Sequence, residues 1–165
     1  MITVRTLALL AATLSTGLGT GAYALYAHTI MPGLAATDDR TFIGAFQSLD
    51  RAILNPWFLG GCFVGPLVFG AAAGLLSLRR PEFGWVAAAV ALQVIVMVVT
   101  MTVNVPLNDA IKAAGPPDAI ENLAAVRAAF HAGTWQAWNL LRVALSVASF
   151  VLLAWALFVQ GRADG

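Results

Sequence analysis

The fold class expected from the sequence is all-α: four membrane-crossing helices in an antiparallel bundle, forming one domain over residues 1–165. Composition is the first reason. The 165 residues are 60% hydrophobic and 10% charged, with a mean hydropathy of +0.83, whereas soluble domains carry about 25% charged residues. Charge placement is the second. Asp, Glu, Lys and Arg are missing from 6–37, 52–78, 83–108 and 143–161, runs of 32, 27, 26 and 19 residues. About 20 apolar residues cross the hydrocarbon of a bilayer, and 134–141 extends the fourth run. A soluble core helix can also be apolar all round, but four of them would leave too little chain to cover them.

The spans are expected at 6–29, 56–78, 83–106 and 134–159. The first has Arg5, an apolar run and Ala22-Tyr23-Ala24, as a secretory signal does. Its apolar run continues to Ile30, so a retained anchor is expected. Gly17 and Gly21 in the first span, and Gly61, Gly65, Gly70 and Gly74 in the second, form small-xxx-small pairs. Such pairs let membrane helices approach closely and leave room for a homo-oligomer. Pro66 is expected to bend the second span. Arg79-Arg80-Pro81-Glu82 makes a tight turn into the third.

The other two connections lie on the opposite side, and both read as short amphipathic helices over one end of the bundle. In the first, Phe42, Phe46, Leu49 and Ile53 recur at helical spacing, with Asp50 and Arg51 between them. Thr41 or a preceding Asp is placed to cap that helix. In the second, Pro116-Pro117 breaks the chain, Asp118 and Glu121 form a capping pair, and Ile120, Leu123, Val126 and Phe130 follow. Arg5, Arg79, Arg80 and Arg162 crowd the side of the termini, while Arg40, Arg51, Lys112 and Arg127 are spread over the long connections. The denser set favours cytoplasmic termini, in a multi-pass protein of the plasma membrane.

The unusual polar residues share one membrane face. Span one ends with Tyr23, Tyr26 and His28; span two begins at Asn55-Pro56-Trp57; span three ends in Asn104-Val105-Pro106-Leu107-Asn108. Span four begins with Trp135, Trp138, Asn139 and Arg142, at i, i+3, i+4 and i+7 of one helical stripe. Pro106 frees a backbone carbonyl about one turn back, near Thr102. Arg142 lies one to two turns inside the membrane boundary, where an ionisable residue usually faces the interior and marks a site. Its planar fork of donors suits a carboxylate, phenolate or carbonyl oxygen. Singly, these residues also read as an aromatic belt, a snorkelling Arg and helix-bridging amides. Together they point to a pocket.

Other functions find less support. A net charge of +1 gives no footprint for nucleic acid. Cys62 is the single cysteine and reads as a small hydrophobe. No His, Cys or carboxylate stands at metal-ligand spacing, so no metal and no cofactor is expected. Haem held by His28 and His131 is the alternative. Transport is disfavoured, because the spans show neither an inverted repeat nor an acidic relay.

Met31-Pro32-Gly33-Leu34, Asp39-Arg40-Thr41-Phe42 and Asn55-Pro56, then the Asn104-Val105-Pro106-Leu107-Asn108 string, Phe130, Trp135, Trp138-Asn139 and Arg142, resemble the anthrone oxygenase-like proteins. These are small four-helix membrane proteins, otherwise grouped as a domain of unknown function. The resemblance covers nearly the whole chain. It implies that fold, and for some members the oxidation of anthrones to anthraquinones with molecular oxygen.

On that footing a lipophilic aromatic substrate is expected to reach the site from the bilayer. Trp135, Trp138, Asn55, Tyr26 and His131 would bind it. Arg142, with Asn139, Asn104 and Asn108, would stabilise an enolate oxygen. The base is open, with His131 or an Asn-held water as candidates. The alternatives are a non-catalytic protein binding a small lipophile or a partner subunit, and a haem or quinone redox protein.

Overall fold

The computed structural model describes residues 3–164, so Met1, Ile2 and Gly165 of the expected domain lie outside the described residues. Six helical rods follow: α1 (Val4–Ala35), α2 (Asp39–Ile53), α3 (Trp57–Leu76), α4 (Phe83–Ala113), α5 (Leu123–Ala129) and α6 (Ala132–Asp164). No strand occurs among the described residues. Four helical runs are long and apolar enough to cross a membrane: α1, α3, α4 and the run Leu123–Asp164 that contains α6. The helix α1 packs on α3 and α6, and α4 packs on the same two. The four therefore close a ring in which every neighbour is antiparallel.

The outer face of the ring is apolar, and its interior mixes small apolar side chains such as Ala12, Ala73, Ala89 and Ala156 with polar ones. Thr16, Gln93, Asn139, Arg142, Ser146 and Ser149 are buried, while Leu14, Leu18, Val94, Val98, Val147 and Trp155 face outward. Lipid tails give helices no hydrophobic reason to associate, so small side chains and hydrogen bonds hold the bundle instead. Along α6 the buried positions are Trp135, Asn139, Arg142, Ser146, Ser149, Leu153, Ala156 and Gln160. Their alternating steps of four and three residues are the repeat of a coiled-coil seam. On that seam Ser149 donates to the Ala89 carbonyl at 3.0 Å.

Close approach of α1 and α3 depends on Gly65, which the spacing picked out and where a Cβ would press on the Ser15 hydroxyl, and on Gly19, which it did not. A Cβ on Gly21 or Gly61 would meet nothing within 4 Å, whereas one on Gly19 would stand 2.5 Å from the Cys62 carbonyl oxygen. A backbone carbonyl cannot rotate away. Gly19→Ala is therefore expected to cost about 1–3 kcal/mol, read as a lower melting temperature in detergent. Gly21→Ala serves as the silent control.

Three prolines shape the end of the ring that carries the polar residues. The segments Tyr26–Ile30, Trp57–Val64 and Thr100–Asn104 are π-helical. Pro32, Pro66 and Pro106 each stand two residues beyond one of them. Proline has no N–H and its ring presses on the carbonyl four residues back. Widening the preceding turn relieves that clash while the helix goes on. The Met31 and Val105 amides accordingly donate to carbonyls five residues back, those of Tyr26 and Thr100. As helices, α1 therefore continues to Ala35 and α4 to Ala113, beyond the residues 29 and 106 where the spans are expected to end.

The helices α2 and α5 cap this end. Phe42, Ile43 and Phe46 of α2 are buried with Ile111, Phe130 and Trp135. Asp38 caps α2, its carboxylate accepting from the Thr41 amide at 2.9 Å and the Thr41 hydroxyl at 2.8 Å. Those bonds, the backbone one first, hold the carboxyl below the usual carboxylate range. A depressed folded pKa stabilises above the unfolded pKa, and that stability is lost as pH falls through the folded one. The protection factor of the Thr41 amide is thus expected to fall as pH drops below about 4, and to be low already at neutral pH in Asp38→Ala. The expected Asp118–Glu121 capping pair does not form. Asn122 caps α5 through the Ala125 amide at 2.9 Å, and Asp118 pairs with Arg40 across the cap. Arg127 ties α5 down, donating to the carbonyls of Thr37 (2.7 Å) and Ala35 (3.0 Å) and to Asp39 (3.0 Å).

Candidate functional site

Beneath the cap lies a cavity of about 180 Å³, more than ten times the roughly 10–15 Å³ that one water needs. Residues of all three π segments line it, Tyr26, Phe58 and Thr100 among them, together with α2 and α6. Its surface is mostly aromatic and aliphatic, as in small-molecule sites, and its polar groups fall into two sets.

The first set surrounds Arg142, which is 5% exposed. Its Nη2 donates to Asn139 Oδ1 at 2.7 Å and its Nη1 to Thr100 Oγ1 at 3.2 Å. Asn139 is oriented in turn by donating to the Tyr23 carbonyl at 3.0 Å. The guanidinium carbon lies 4.7 Å from the centre of the Tyr23 ring and 5.7 Å from that of Trp135. Among the described residues no carboxylate is within ion-pair distance of Arg142, and its Nε has no hydrogen-bond partner. A cation held by neutral groups in a low-dielectric cavity is a ready partner for an anionic oxygen.

The second set runs across the other wall. Trp135 Nε1 donates to Asn108 Oδ1 at 2.7 Å, and Asn108 Nδ2 donates to Asp50 Oδ1 at 2.7 Å. The other oxygen of Asp50 pairs with Lys112 Nζ at 2.7 Å, and Lys112 reaches Asp109 at 3.0 Å. Asp50 is buried, whereas Asp109 is exposed at the rim beside Leu54 and Leu59. The exposed lining residues Leu54, Leu59 and Asp109 thus place the cavity mouth between the start of α3 and the end of α4.

Of the residues singled out from the sequence, Arg142, Asn139, Asn108, Trp135 and Tyr26 line this cavity. Asn104, Trp138, Asn55 and His131 do not. Asn104 is buried behind Trp135 and donates to its carbonyl at 3.2 Å, fastening α4 to α6. Trp138 is 39% exposed on the outer face, since 100° per residue turns it well away from Asn139. Asn55 caps α3, accepting from the Phe58 amide at 2.9 Å and donating to the Ala52 carbonyl at 3.0 Å. His131 sits exposed at the α5–α6 hinge with φ 50°. His28 is exposed beside the Thr29 hydroxyl at 2.6 Å. Neither imidazole lines this cavity. No group of three or more His, Cys, Asp or Glu side chains suited to a metal ion occurs among the described residues.

Asp50 and Lys112 were not anticipated as site residues, although a signal existed. Phe46, Asp50 and Ile53 stand at i, i+4 and i+7, so Asp50 shares their face and Leu49 turns away from it. Asn104, Asn108 and Lys112 stand one turn apart, a phase that holds once α4 is seen to pass Pro106.

No curated protein and no solved structure matches the chain. The family described as anthrone oxygenase matches residues 55–152, more than half of the chain. That stretch holds the whole 104–108 string and the Trp135-to-Arg142 stripe, while the resembling segments at 31–34 and 39–42 lie before it. The chain is a membrane protein that belongs to the anthrone oxygenase family.

Proposed function

We propose that the cavity oxidises a lipophilic anthrone or polycyclic phenol with molecular oxygen. One observation carries the reading: Arg142 is buried in an aromatic-lined cavity with neutral partners only. Loss of a C–H proton from an anthrone leaves an enolate, and its oxygen would take the free donor capacity of the guanidinium. Donors fixed in advance toward developing charge are commonly the largest catalytic contribution. The enolate carbon is then electron-rich enough to react with oxygen. Overall, the ring methylene and one molecule of oxygen become a ring carbonyl and one molecule of water, which balances without another reductant. Tyr26, Phe58 and Trp135 would hold the fused rings, and a substrate dissolved in the bilayer would enter past Leu54 and Leu59. This reading puts both termini in the cytoplasm of a plasma-membrane protein, with cap and cavity mouth outside, because Arg5, Arg79, Arg80 and Arg162 crowd the opposite end.

The test is an absorption spectrum of detergent-purified protein, followed by oxygen uptake on adding anthrone. Uptake above the spontaneous rate by a colourless protein supports the proposal. Quenching of tryptophan fluorescence by anthrone without uptake favours a lipophile-binding protein instead. A Soret band would return the argument to His28 and His131.

A further inference from the structure

We propose that Asp50 is the general base of this site, accepting the C–H proton of a carbon acid whose oxygen rests on Arg142. The inference rests on the oxidation reading and names the proton acceptor that it lacks.

Placement is the first argument. Asp50 is 7% exposed and is the buried carboxylate on the cavity wall, since the other wall carboxylate, Asp109, lies at the exposed rim. Substrate geometry is the second. In an anthrone the carbonyl and the acidic methylene occupy opposite edges of the central ring. The group that holds the oxygen and the group that takes the proton must then stand on different walls. Arg142 and Asp50 do so: the Trp135 indole and the Asn108 amide lie between them along the cavity surface.

Hydrogen bonding is the third. Asp50 Oδ1 accepts from Asn108 Nδ2 at 2.7 Å, while Oδ2 has no hydrogen-bond donor and is held by its ion pair with Lys112 Nζ, also at 2.7 Å. A carboxylate oxygen has two acceptor sites, so each keeps one lone pair for a substrate proton. The two contacts fix the carboxylate plane from α4, and the ion-paired carboxylate is the form that accepts a proton.

The steps balance. The first C–H bond breaks, its proton goes to Asp50, and the electron pair becomes the enolate facing Arg142. Oxygen adds at the carbon and forms the C–O bond, and the peroxide anion takes the proton back from Asp50. Asp50 then removes the second C–H proton while the O–O bond breaks and hydroxide leaves. Hydroxide takes that proton as water. The carbon loses four electrons, and one molecule of oxygen gains them.

Exchange separates the base from the oxygen step. Full-length protein is incubated anaerobically with anthrone in heavy water, deuterium entry at the methylene is followed, and oxygen uptake is measured in parallel. Wild type is expected to exceed the spontaneous exchange rate. Asp50→Asn is expected to lose about 10²–10⁴-fold in both rates, with anthrone still quenching tryptophan fluorescence at similar concentrations. Asp50→Gly is expected to regain exchange with added formate. Asp50→Glu, which returns the carboxylate a little displaced, keeps the test valid if Asp50→Asn does not fold; it is expected to exchange faster than Asp50→Gly. Exchange by Asp50→Asn at the wild-type rate would overturn the assignment while leaving the oxidation reading intact. So would a folded Asp50→Gly that formate does not rescue. Wild-type protein that neither exchanges nor consumes oxygen would remove the oxidation reading, and the base with it.

Discussion

Arg142→Met is expected to lower kcat for anthrone-dependent oxygen uptake about 10²–10³-fold, the loss seen when one donor is taken from an oxyanion site, while melting at or above the wild-type temperature. The two halves of that result have one cause. Burying a guanidinium carries a desolvation cost, and a carboxylate partner can offset it. Arg142 has no such partner among the described residues; Asn139 and Thr100 supply neutral oxygens only. Methionine fills similar space and removes the cost, at the price of two acceptors, on Asn139 and Thr100, that lose their donor. Arg142→Lys is expected to fall between, because an ammonium keeps the charge but loses the planar fork. Oxygen uptake and a fluorescence melt on the same preparations check both halves. A large loss of stability in Arg142→Met with unchanged turnover would make Arg142 a structural residue and sink the oxyanion role.

The parts of this site that were legible in the sequence are those whose phase is set within one helix. Trp135, Asn139 and Arg142 lie on one stripe at any crossing angle, because 3.6 residues per turn decides it. The four charge-free runs likewise mark spans before any packing is known. Asp50 was harder. Its helix lies outside the spans, and only docking through Phe42, Phe46 and Phe130 turns its face toward the bundle mouth. Lys112 was hidden for a different reason. Pro106 reads as the end of a helix, whereas the π segment Thr100–Asn104 absorbs the proline and carries the phase of Asn104 and Asn108 on to Lys112. A similar limit applies to Gly19, since nothing local distinguishes it from Gly17 or Gly21 until the Cys62 carbonyl is seen against it. Long-range docking and helix-continuing prolines were thus the missing pieces, and both carry chemistry here.

At the opposite end of the bundle the expected effect is on stability alone. Glu82 is fully buried where α4 begins, and Arg5 Nη1 reaches its Oε1 at 3.1 Å. Arg5 also meets Asp164 at the end of α6, so one side chain ties three elements together. Gln160 adds a 2.8 Å bond to the Thr6 hydroxyl beside it. Arg5→Ala would leave a carboxylate buried without its cation, which typically costs about 3–5 kcal/mol. The melting temperature should fall accordingly, and oxygen uptake per folded molecule should not change. Asp164 is 38% exposed in its side chain, and exposed ion pairs contribute little, about 0–1 kcal/mol. Asp164→Ala is therefore the mild variant, although it removes a contact to the same arginine. The double variant Arg5→Met/Glu82→Met should regain most of the loss, because an apolar pair of similar volume carries no desolvation cost. A double variant no more stable than Arg5→Ala would mean that Arg5 acts through packing of its methylene stem, and that the charge on Glu82 is solvated in the folded protein.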